Sequence, residues 1–350
     1  MSLSSKIGVP DVLLASLSPV ELDSFAAVSR LCRHQVESFR RRAFKIRYVL
    51  EPFMELNQIS AFQCIQRDTG TLVSGSVAYK FFSRKIFDSD LDLFCPITKC
   101  PQLARWLLSI GYAFTSKNAL MGESFEDSFA RTRDFTSQTT AIVPIDKIHE
   151  SREIEAVWSF VNCQTLKWVQ IIGTRGSPVA AILSFHSTAV MNFITYETAY
   201  SLYPRLTYED KSNLCVDRGC LGSDRVKLAI QKWARRGYPV LPRLPREHLL
   251  AANSDLSVSN NRHVGDIHCW ALNINLATSG IPPAPSSMHI NSWTLHYNGD
   301  HTHLSYKLLV LSGFSNELQA VVSEAEAATL SCAFHSTGDT YVFLILFFLH

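Results

Sequence analysis

Apolar and polar positions along this chain predict helices first, then a mixed region, then mostly strands. Residues 9–55 carry apolar stripes at helical spacing, and Ser18 and Glu21 are placed as in a capping box that starts a helix. After residue 241, short β-like runs follow polar or proline-rich linkers, and Asn298-Gly299 is a typical two-residue hairpin turn. We therefore expect a helical N-terminal element at 1–55, a central domain at 56–240 and a mainly β region at 241–350.

The central region alternates between helical and strand-like periods. We expect helices at residues 59–69, 77–82, 101–110, 179–183, 195–202 and 223–236, and strands at 71–74, 90–94, 140–148, 166–172 and 185–194. Residues 117–140 show no clear period and are interpreted as a loop or a weak hairpin. Strand-like runs in the C-terminal region lie at 267–276, 292–297 and 303–311. The alternation of helical and strand-like periods predicts an α/β (α+β) fold.

Two aspartates on a short apolar strand, Asp90 and Asp92, are the most informative chemical feature. Because side chains alternate along a strand, both carboxylates lie on one face, and the leucines between and after them lie on the other. A Gly75-Ser76 pair precedes them, with thirteen residues between Ser76 and Asp90. Two such carboxylates can chelate a divalent cation, and a Gly-Ser turn that leads into a helix can hold the phosphates that the cation bridges.

This arrangement resembles the signature of the nucleotidyltransferase (polymerase-beta-like) superfamily, and in particular uncharacterised fungal proteins of that type. The resemblance covers about residues 59–240. It implies a small mixed, twisted sheet with helices packed mainly on one side. It also implies Mg²⁺ on Asp90 and Asp92, and a nucleoside triphosphate whose phosphates are held by Gly75 and Ser76.

Active members of this superfamily carry a third carboxylate on a neighbouring strand, and here the sequence departs from the pattern. The strand expected to carry it has Gln170, which is neutral and binds Mg²⁺ poorly. A second alignment puts His186 at that position, and histidine prefers softer metals. Asp146 is the remaining candidate acid. The sequence thus favours a degenerate site that keeps nucleotide binding, and the alternative is an active metal-dependent enzyme that transfers NMP to an unknown acceptor.

The N-terminal segment resembles a shortened F-box through residues 9–14, 17–22 and 28–33. That resemblance covers about 25 residues and implies an adaptor protein that binds a Skp1-like partner. The other interpretation is a small helical cap on the central domain.

Charge, cysteine content and the apolar C-terminal run limit the partners and the location that we expect for this protein. A net charge of +2 predicts no obligate nucleic-acid partner. Nine cysteines without a CxxC pair indicate thiols of a reducing compartment, so a cytoplasmic or nuclear protein is expected. The apolar run 341–349 is half the length of a membrane span, which predicts a buried strand and no membrane association. Several polar clusters are interpreted as surface or structural groups: Arg40 to Arg42, Lys232 with Arg235 and Arg236, His296 with His301 and His303, and Asp266 to Cys269.

Overall fold

The computed structural model describes residues 11–85, 87–115, 123–138, 153–216, 224–241, 254–258, 260–274, 287–298 and 301–308. The helices in these ranges are α1 Asp11–Ser16, α2 Pro19–Val28, α3 Arg30–Ala43, α4 Arg47–Leu50, α5 Leu56–Thr69, α6 Gly75–Ser83, α7 Cys100–Ser109, α8 Phe125–Gln138, α9 Pro178–Leu183 and α10 Asp224–Arg235. The strands are β1 Leu72–Ser74, β2 Leu91–Pro96, β3 Tyr112–Thr115, β4 Ile154–Asn162, β5 Trp168–Thr174, β6 Asn192–Ile194, β7 Thr198–Ser201, β8 Asn213–Leu214, β9 Val240–Leu241, β10 Asn261–His263, β11 Trp270–Asn273, β12 Asn291–Asn298 and β13 His301–Leu308. The predicted α/β class, with a helical N-terminus and a strand-rich C-terminal region, is confirmed.

The main sheet has eight strands in the order β11-β7-β6-β1-β2-β5-β4-β3. Strands β2 and β5 run parallel, and the other neighbouring strands in this sheet run antiparallel, so the sheet is mixed. A second sheet has the order β10-β12-β13, and β8 pairs with β9. The paired residues of β12 and β13 continue to Asn298 and His301. Asn298 therefore belongs to the strand, one residue away from the predicted Asn298-Gly299 turn, which would pair residues 297 and 300.

The two faces of the main sheet are covered differently. The first face, which includes Leu93 and Ile171, packs against α5, α7, α8 and the N-terminal helices in one continuous apolar core. The second face, which includes Phe94 and Ile172, packs against α9 and the sheet of β12 and β13. This second cover does not extend over the whole face, because Trp168 of β5 is 40 % exposed.

Local sequence signals account for several element ends. Ser18 accepts a hydrogen bond from the backbone N–H of Glu21, and the Glu21 carboxylate accepts one from the Ser18 N–H, so α2 begins with the predicted capping box. Helix α5 ends at Gly70, whose φ of 68° is the left-handed conformation that favours glycine.

Three predicted elements are wrong. Residues 125–138, within the segment 117–140 that was interpreted as a loop or a weak hairpin, form helix α8, in which Phe125 and Phe129 stack on each other and pack on Trp158. Residues 195–202 are not a helix, because Thr198–Ser201 pairs with strands on both sides. The predicted strand at 185–194 is reduced to Asn192–Ile194, and β4 was not predicted from the sequence. The predicted strand at 140–148 and the apolar run 341–349 lie outside the described residues.

Two other observations concern the cysteines and the possibility of a membrane-spanning helix. The seven cysteines in the described ranges are all free thiols. In the same ranges no helix combines the length and the apolar character needed to cross a bilayer.

Candidate functional site

The Gly-Ser pair and the two aspartates are brought together by the β1–α6–β2 unit. Strands β1 and β2 pair antiparallel with Ser74 opposite Asp92, and α6 starts at the next residue, Gly75. Gly75 has a φ of 63°, and a β-carbon on it would overlap the carboxylate of Asp92. Glycine is therefore required twice, once for the backbone conformation and once for the close approach of the aspartate.

The two carboxylates differ in environment. Asp90 precedes β2 and is exposed, whereas Asp92 is half-buried on the strand. Burial, reinforced by the negative charge of Asp90, raises the pKa of Asp92 to about 7, and the positive charge of Lys232 opposes that rise. Burial and the charge of Asp90 make the charged form of Asp92 unfavourable, and a cation bound between the two acids would stabilise that charged form.

Gln170 occupies the position beside Asp92 where the resemblance predicts a third carboxylate. The two strands bonded to β2 are β1 and β5, and in the parallel pair Gln170 of β5 is the direct partner of Asp92. Directly paired residues project to the same face, so the amide of Gln170 lies beside the carboxylate of Asp92. Of the three candidates for the third position, Gln170 is the one that the structure brings to the aspartates.

His186 does not lie beside the aspartates. His186 follows α9, and its backbone carbonyl accepts a hydrogen bond from Val216, so it lies on neither neighbour of β2. Burial lowers the pKa of His186 to about 4, and its Nε2 atom is buried with no hydrogen-bond partner among the described residues. The prediction that His186 opens a strand beside the aspartates is wrong. Asp146 lies outside the described residues.

A row of polar side chains crosses the second face of the sheet at the level of Asp92. Paired positions place Ser74, Asp92, Gln170, Ser159 and Thr115 next to one another on β1, β2, β5, β4 and β3. Apolar residues that lie farther along the same face are covered by α9 and β12. The row therefore lies at the boundary between the apolar residues of this face, which α9 and β12 cover, and the polar residues of the site.

A basic segment at the end of α10 reaches the same place. The guanidinium of Arg236 donates a hydrogen bond to Ser76 Oγ over 3.3 Å, although the two residues are 160 positions apart. Trp233 fixes this approach, because its ring packs edge-on against Tyr79 of α6 at 4.7 Å. Arg236 is further held over the rings of Phe87, at 4.1 Å, and Trp233, at 5.0 Å.

Further cations lie around the segment of Phe87 and Asp88, which Arg236 also contacts. Burial lowers the pKa of the half-buried Lys80, and the neighbouring charges of Lys167 and Arg236 act in the same direction, whereas Asp88 opposes them. Lys167 also forms an ion pair with Asp88 at 2.7 Å. Like charges near one another repel, and a bound polyanion such as a triphosphate would reduce that repulsion. The sequence predicts Lys232, Arg235 and Arg236 as the polar face of a packed helix, and it gives no signal for the contact of Arg236 with Ser76.

The residues fit one hard cation better than two. Asp90 and Asp92 supply charged oxygens, and Gln170 adds a neutral amide beside them. Within the described ranges, no group of three or more His, Cys, Asp and Glu side chains has the geometry of a metal site. A single Mg²⁺ held by two carboxylates and by phosphate oxygens is the arrangement that this set of ligands favours.

The remaining sequence candidates have structural partners. Asp266 forms a buried ion pair with Arg262, which also lies 3.6 Å from Cys269 Sγ. The rings of His296 and His303 stack across the β12–β13 pair at 4.9 Å. Two of the N-terminal arginines pair with acids, Arg40 with Asp23 and Arg42 with Asp11.

Comparisons with family models, with curated proteins and with solved structures find no match to this chain.

Proposed function

We propose that this protein binds a nucleoside triphosphate together with one Mg²⁺ at the site formed by Gly75, Ser76, Asp90 and Asp92, and that Gln170 leaves it weak or inactive in nucleotidyl transfer. The observation that carries the proposal is the contact between Gly75 and Asp92 at the start of α6. This contact puts the Asp92 carboxylate against the N-terminus of α6, and Arg236 lies against Ser76 of the same helix start.

Each group has a role that follows from its position. The first N–H groups of α6 and the Ser76 hydroxyl would bind phosphate oxygens, since a helix N-terminus favours negative charge. Arg236 would bind a terminal phosphate, because it is already held against Ser76 by the rings of Phe87 and Trp233. Asp90 and Asp92 would hold the Mg²⁺, which when bound neutralises phosphate charge.

The neutral Gln170 is the reason to propose binding without efficient transfer. Deprotonating an acceptor hydroxyl and stabilising the transition state call for a second metal or a base, and both functions belong to the position beside Asp92. An amide is not a base and contributes no charge to a metal site. A cytoplasmic or nuclear location, where both Mg²⁺ and nucleoside triphosphates are present, suits this proposal.

The test is equilibrium binding of ATP, GTP, CTP and UTP with Mg²⁺ by calorimetry. Asp90→Ala and Asp92→Ala should each abolish Mg²⁺-dependent binding, while Asp68→Ala, at an exposed acid near the end of α5, should bind as the wild type does. No binding of any triphosphate by the wild-type protein would overturn the proposal. Metal-dependent incorporation of labelled nucleotide into RNA, protein or a small acceptor would instead establish the active transferase.

A second candidate function, an adaptor that binds a Skp1-like protein, is favoured by apolar exposure in the N-terminal helices. Val12, Leu13, Val28 and Leu31 are 81, 52, 73 and 58 % exposed. Leu31→Asp in the full chain should prevent binding of a purified Skp1-like protein, whereas Leu56→Asp, at a leucine of equal exposure on α5, should not. Equal binding by both variants, or none by the wild type, would remove this candidate.

A further inference from the structure

Trp168 is the most exposed tryptophan of the chain, and it lies next to the proposed nucleotide site. Four of the six tryptophans are buried, at 6 % exposure or less, and Trp106 is half-buried, whereas Trp168 is 40 % exposed. The indole of Trp168 therefore offers a flat apolar surface on which a planar ring can stack.

The register of the sheet fixes which way Trp168 projects. Asp92 pairs with Gln170, so both project to the second face, and Trp168 is two residues before Gln170 on the same strand. Side chains two apart on a strand share a face, so the indole lies on the side of the carboxylates. One strand spacing and two residues along the strand correspond to about 8 Å between the α-carbons of Trp168 and Asp92.

The neighbours of Trp168 supply both apolar and polar contacts. On β4 the directly paired residues of the same face are Val161, opposite Trp168, and Ser159, opposite Gln170. A flat apolar surface beside an amide and a hydroxyl matches a nucleobase, which has apolar faces and hydrogen-bonding edges.

The two sides of the aspartates thus differ in chemistry. On the side of β1 lie the α6 N-terminus, Ser76 and Arg236, which suit phosphate groups. On the side of β5 lie Trp168 and Gln170, which carry no charge. A nucleotide with its phosphates at Ser76 and its base at Trp168 would pass over the two carboxylates.

We infer that Trp168 is the base-stacking residue of this site and that Gln170, rather than being only a lost acid, hydrogen-bonds the edge of the same nucleobase. This inference rests on the proposed function, because it assigns the base of the triphosphate that the aspartates and Arg236 bind. Stacking on one face and an amide on the edge would let the site select nucleotides without a charged contact to the base.

The experiment compares ATP with inorganic tripolyphosphate, which has the phosphates but no base, each with Mg²⁺. Trp168→Ala should weaken ATP binding by about 5- to 150-fold, the range for the loss of one base–aromatic stack, and leave tripolyphosphate binding unchanged. Trp168→Phe should keep most of the ATP affinity. Leu166→Ala, at a 72 % exposed side chain in the turn before β5, is the matched control and should bind both ligands normally.

Collisional quenching of tryptophan fluorescence gives an independent readout. Acrylamide should quench the wild-type protein mainly at Trp168, and ATP with Mg²⁺ should protect that fraction, whereas tripolyphosphate should not. A single-stranded oligonucleotide that protects Trp168 while ATP does not would overturn the assignment to the nucleotide base. Equal ATP affinity in Trp168→Ala and wild type would also overturn it, with the proposed function intact. Failure of both ATP and tripolyphosphate to bind the wild type would instead remove the proposed function itself.

Discussion

Gln170 of β5 is the direct parallel-strand partner of Asp92 of β2. The strands are about 4.8 Å apart there, so the two side chains are within reach of a shared ion. Because Gln170 is a neutral amide, it adds no charge to the two carboxylates that lie beside Gly75 and Ser76.

Restoring an acid at this position should strengthen cation binding. We expect Gln170→Asp to bind Mn²⁺ and Mg²⁺ about tenfold more tightly or better, since the number of charged ligands sets the affinity for hard cations. Titration calorimetry measures this change in cation affinity. Thr115→Asp is the control, because it adds the same charge to the same polar row two strands away. An equal gain in both variants would mean that general charge, not the position beside Asp92, is responsible.

Stability should depend on pH through Asp92. Its pKa is raised from 3.8 to about 7 by burial and by Asp90, so between these values the folded protein holds a proton that the unfolded chain releases. The raised pKa of Asp92 therefore contributes its full stabilisation of the folded protein at low pH, and this contribution falls as the pH rises towards 7. Asp92→Asn removes the ionisation and should be more stable than the wild type by roughly 1 to 4 kcal/mol at pH 8, with little difference near pH 4.

Chemical unfolding across that pH range measures the effect. Asp88→Asn is the comparison of opposite sign, because the hydrogen bond from Lys167 lowers the pKa of the exposed Asp88. The Asp88→Asn variant should therefore be no more stable than the wild type at pH 8. A constant difference between Asp92→Asn and the wild type at every pH would contradict the assigned cause. Mg²⁺ should stabilise the wild type more at pH 8 than at pH 5, because protons and cations compete for the same carboxylate.

Gly75 can be tested against a second glycine of the same backbone conformation. Gly70 has a φ of 68° and open space around its missing β-carbon, whereas Gly75, at 63°, would place that carbon on Asp92. Gly70→Ala should lose about 1 to 2 kcal/mol from the left-handed strain alone. Gly75→Ala should lose more than that and also lose triphosphate binding. Equal losses of stability, with binding retained in both, would show that the contact with Asp92 is unimportant.

The sequence predicted the parts of the site that are close along the chain, and it missed the approach of Arg236. Gly75 and Asp92 belong to one strand–helix–strand unit, so a local pattern was sufficient to connect them. The resemblance offered Gln170, His186 and Asp146 for the third position, and the register of β5 places Gln170 beside Asp92. Arg236 reaches Ser76 only because Trp233 packs on α6, a contact between distant segments.

The same reason explains the wrong secondary structure. Residues 195–202 have spacing compatible with a helix, but Ala199 is paired with Ile194 on one side and Leu272 on the other, and this tertiary pairing decides the conformation. Helix α8 was missed because its sequence is largely polar, and the packing of Phe125 and Phe129 on Trp158 depends on a distant strand.

Arg236 and Arg235 provide adjacent variants with different expectations. Arg236 bonds to Ser76 and lies over two aromatic rings, whereas the Arg235 side chain is exposed and donates to a carbonyl of its own helix. Arg236→Ala should weaken binding of both ATP and tripolyphosphate by about 10-fold or more, the effect of losing a charged hydrogen bond. Arg235→Ala should change neither by more than about twofold. Equal effects of the two variants, measured by calorimetry, would reduce the role of Arg236 to general positive charge.

A last prediction concerns the attachment of the C-terminal strands. Arg262 is fully buried on β10, where it pairs with Asp266, donates to the carbonyls of Leu202 and Asp255, and lies 5.1 Å from the ring centres of both Tyr203 and Trp293. These contacts join β10 and β12 to the segment after β7. Arg262→Ala would leave the Asp266 carboxylate buried and unpaired, which should cost about 3 to 5 kcal/mol of the free energy of unfolding.

Two further variants separate the buried charge from the lost packing. Arg262→Met combined with Asp266→Asn removes both charges and keeps volume, so it should recover a large part of that loss. Arg205→Ala, which breaks an exposed pair of the same i,i+4 spacing with Glu209, should cost less than about 1 kcal/mol. Urea unfolding of the full chain measures all three. If the double variant were as unstable as Arg262→Ala, the contribution of Arg262 would lie in its stacking between Tyr203 and Trp293 rather than in the compensation of Asp266.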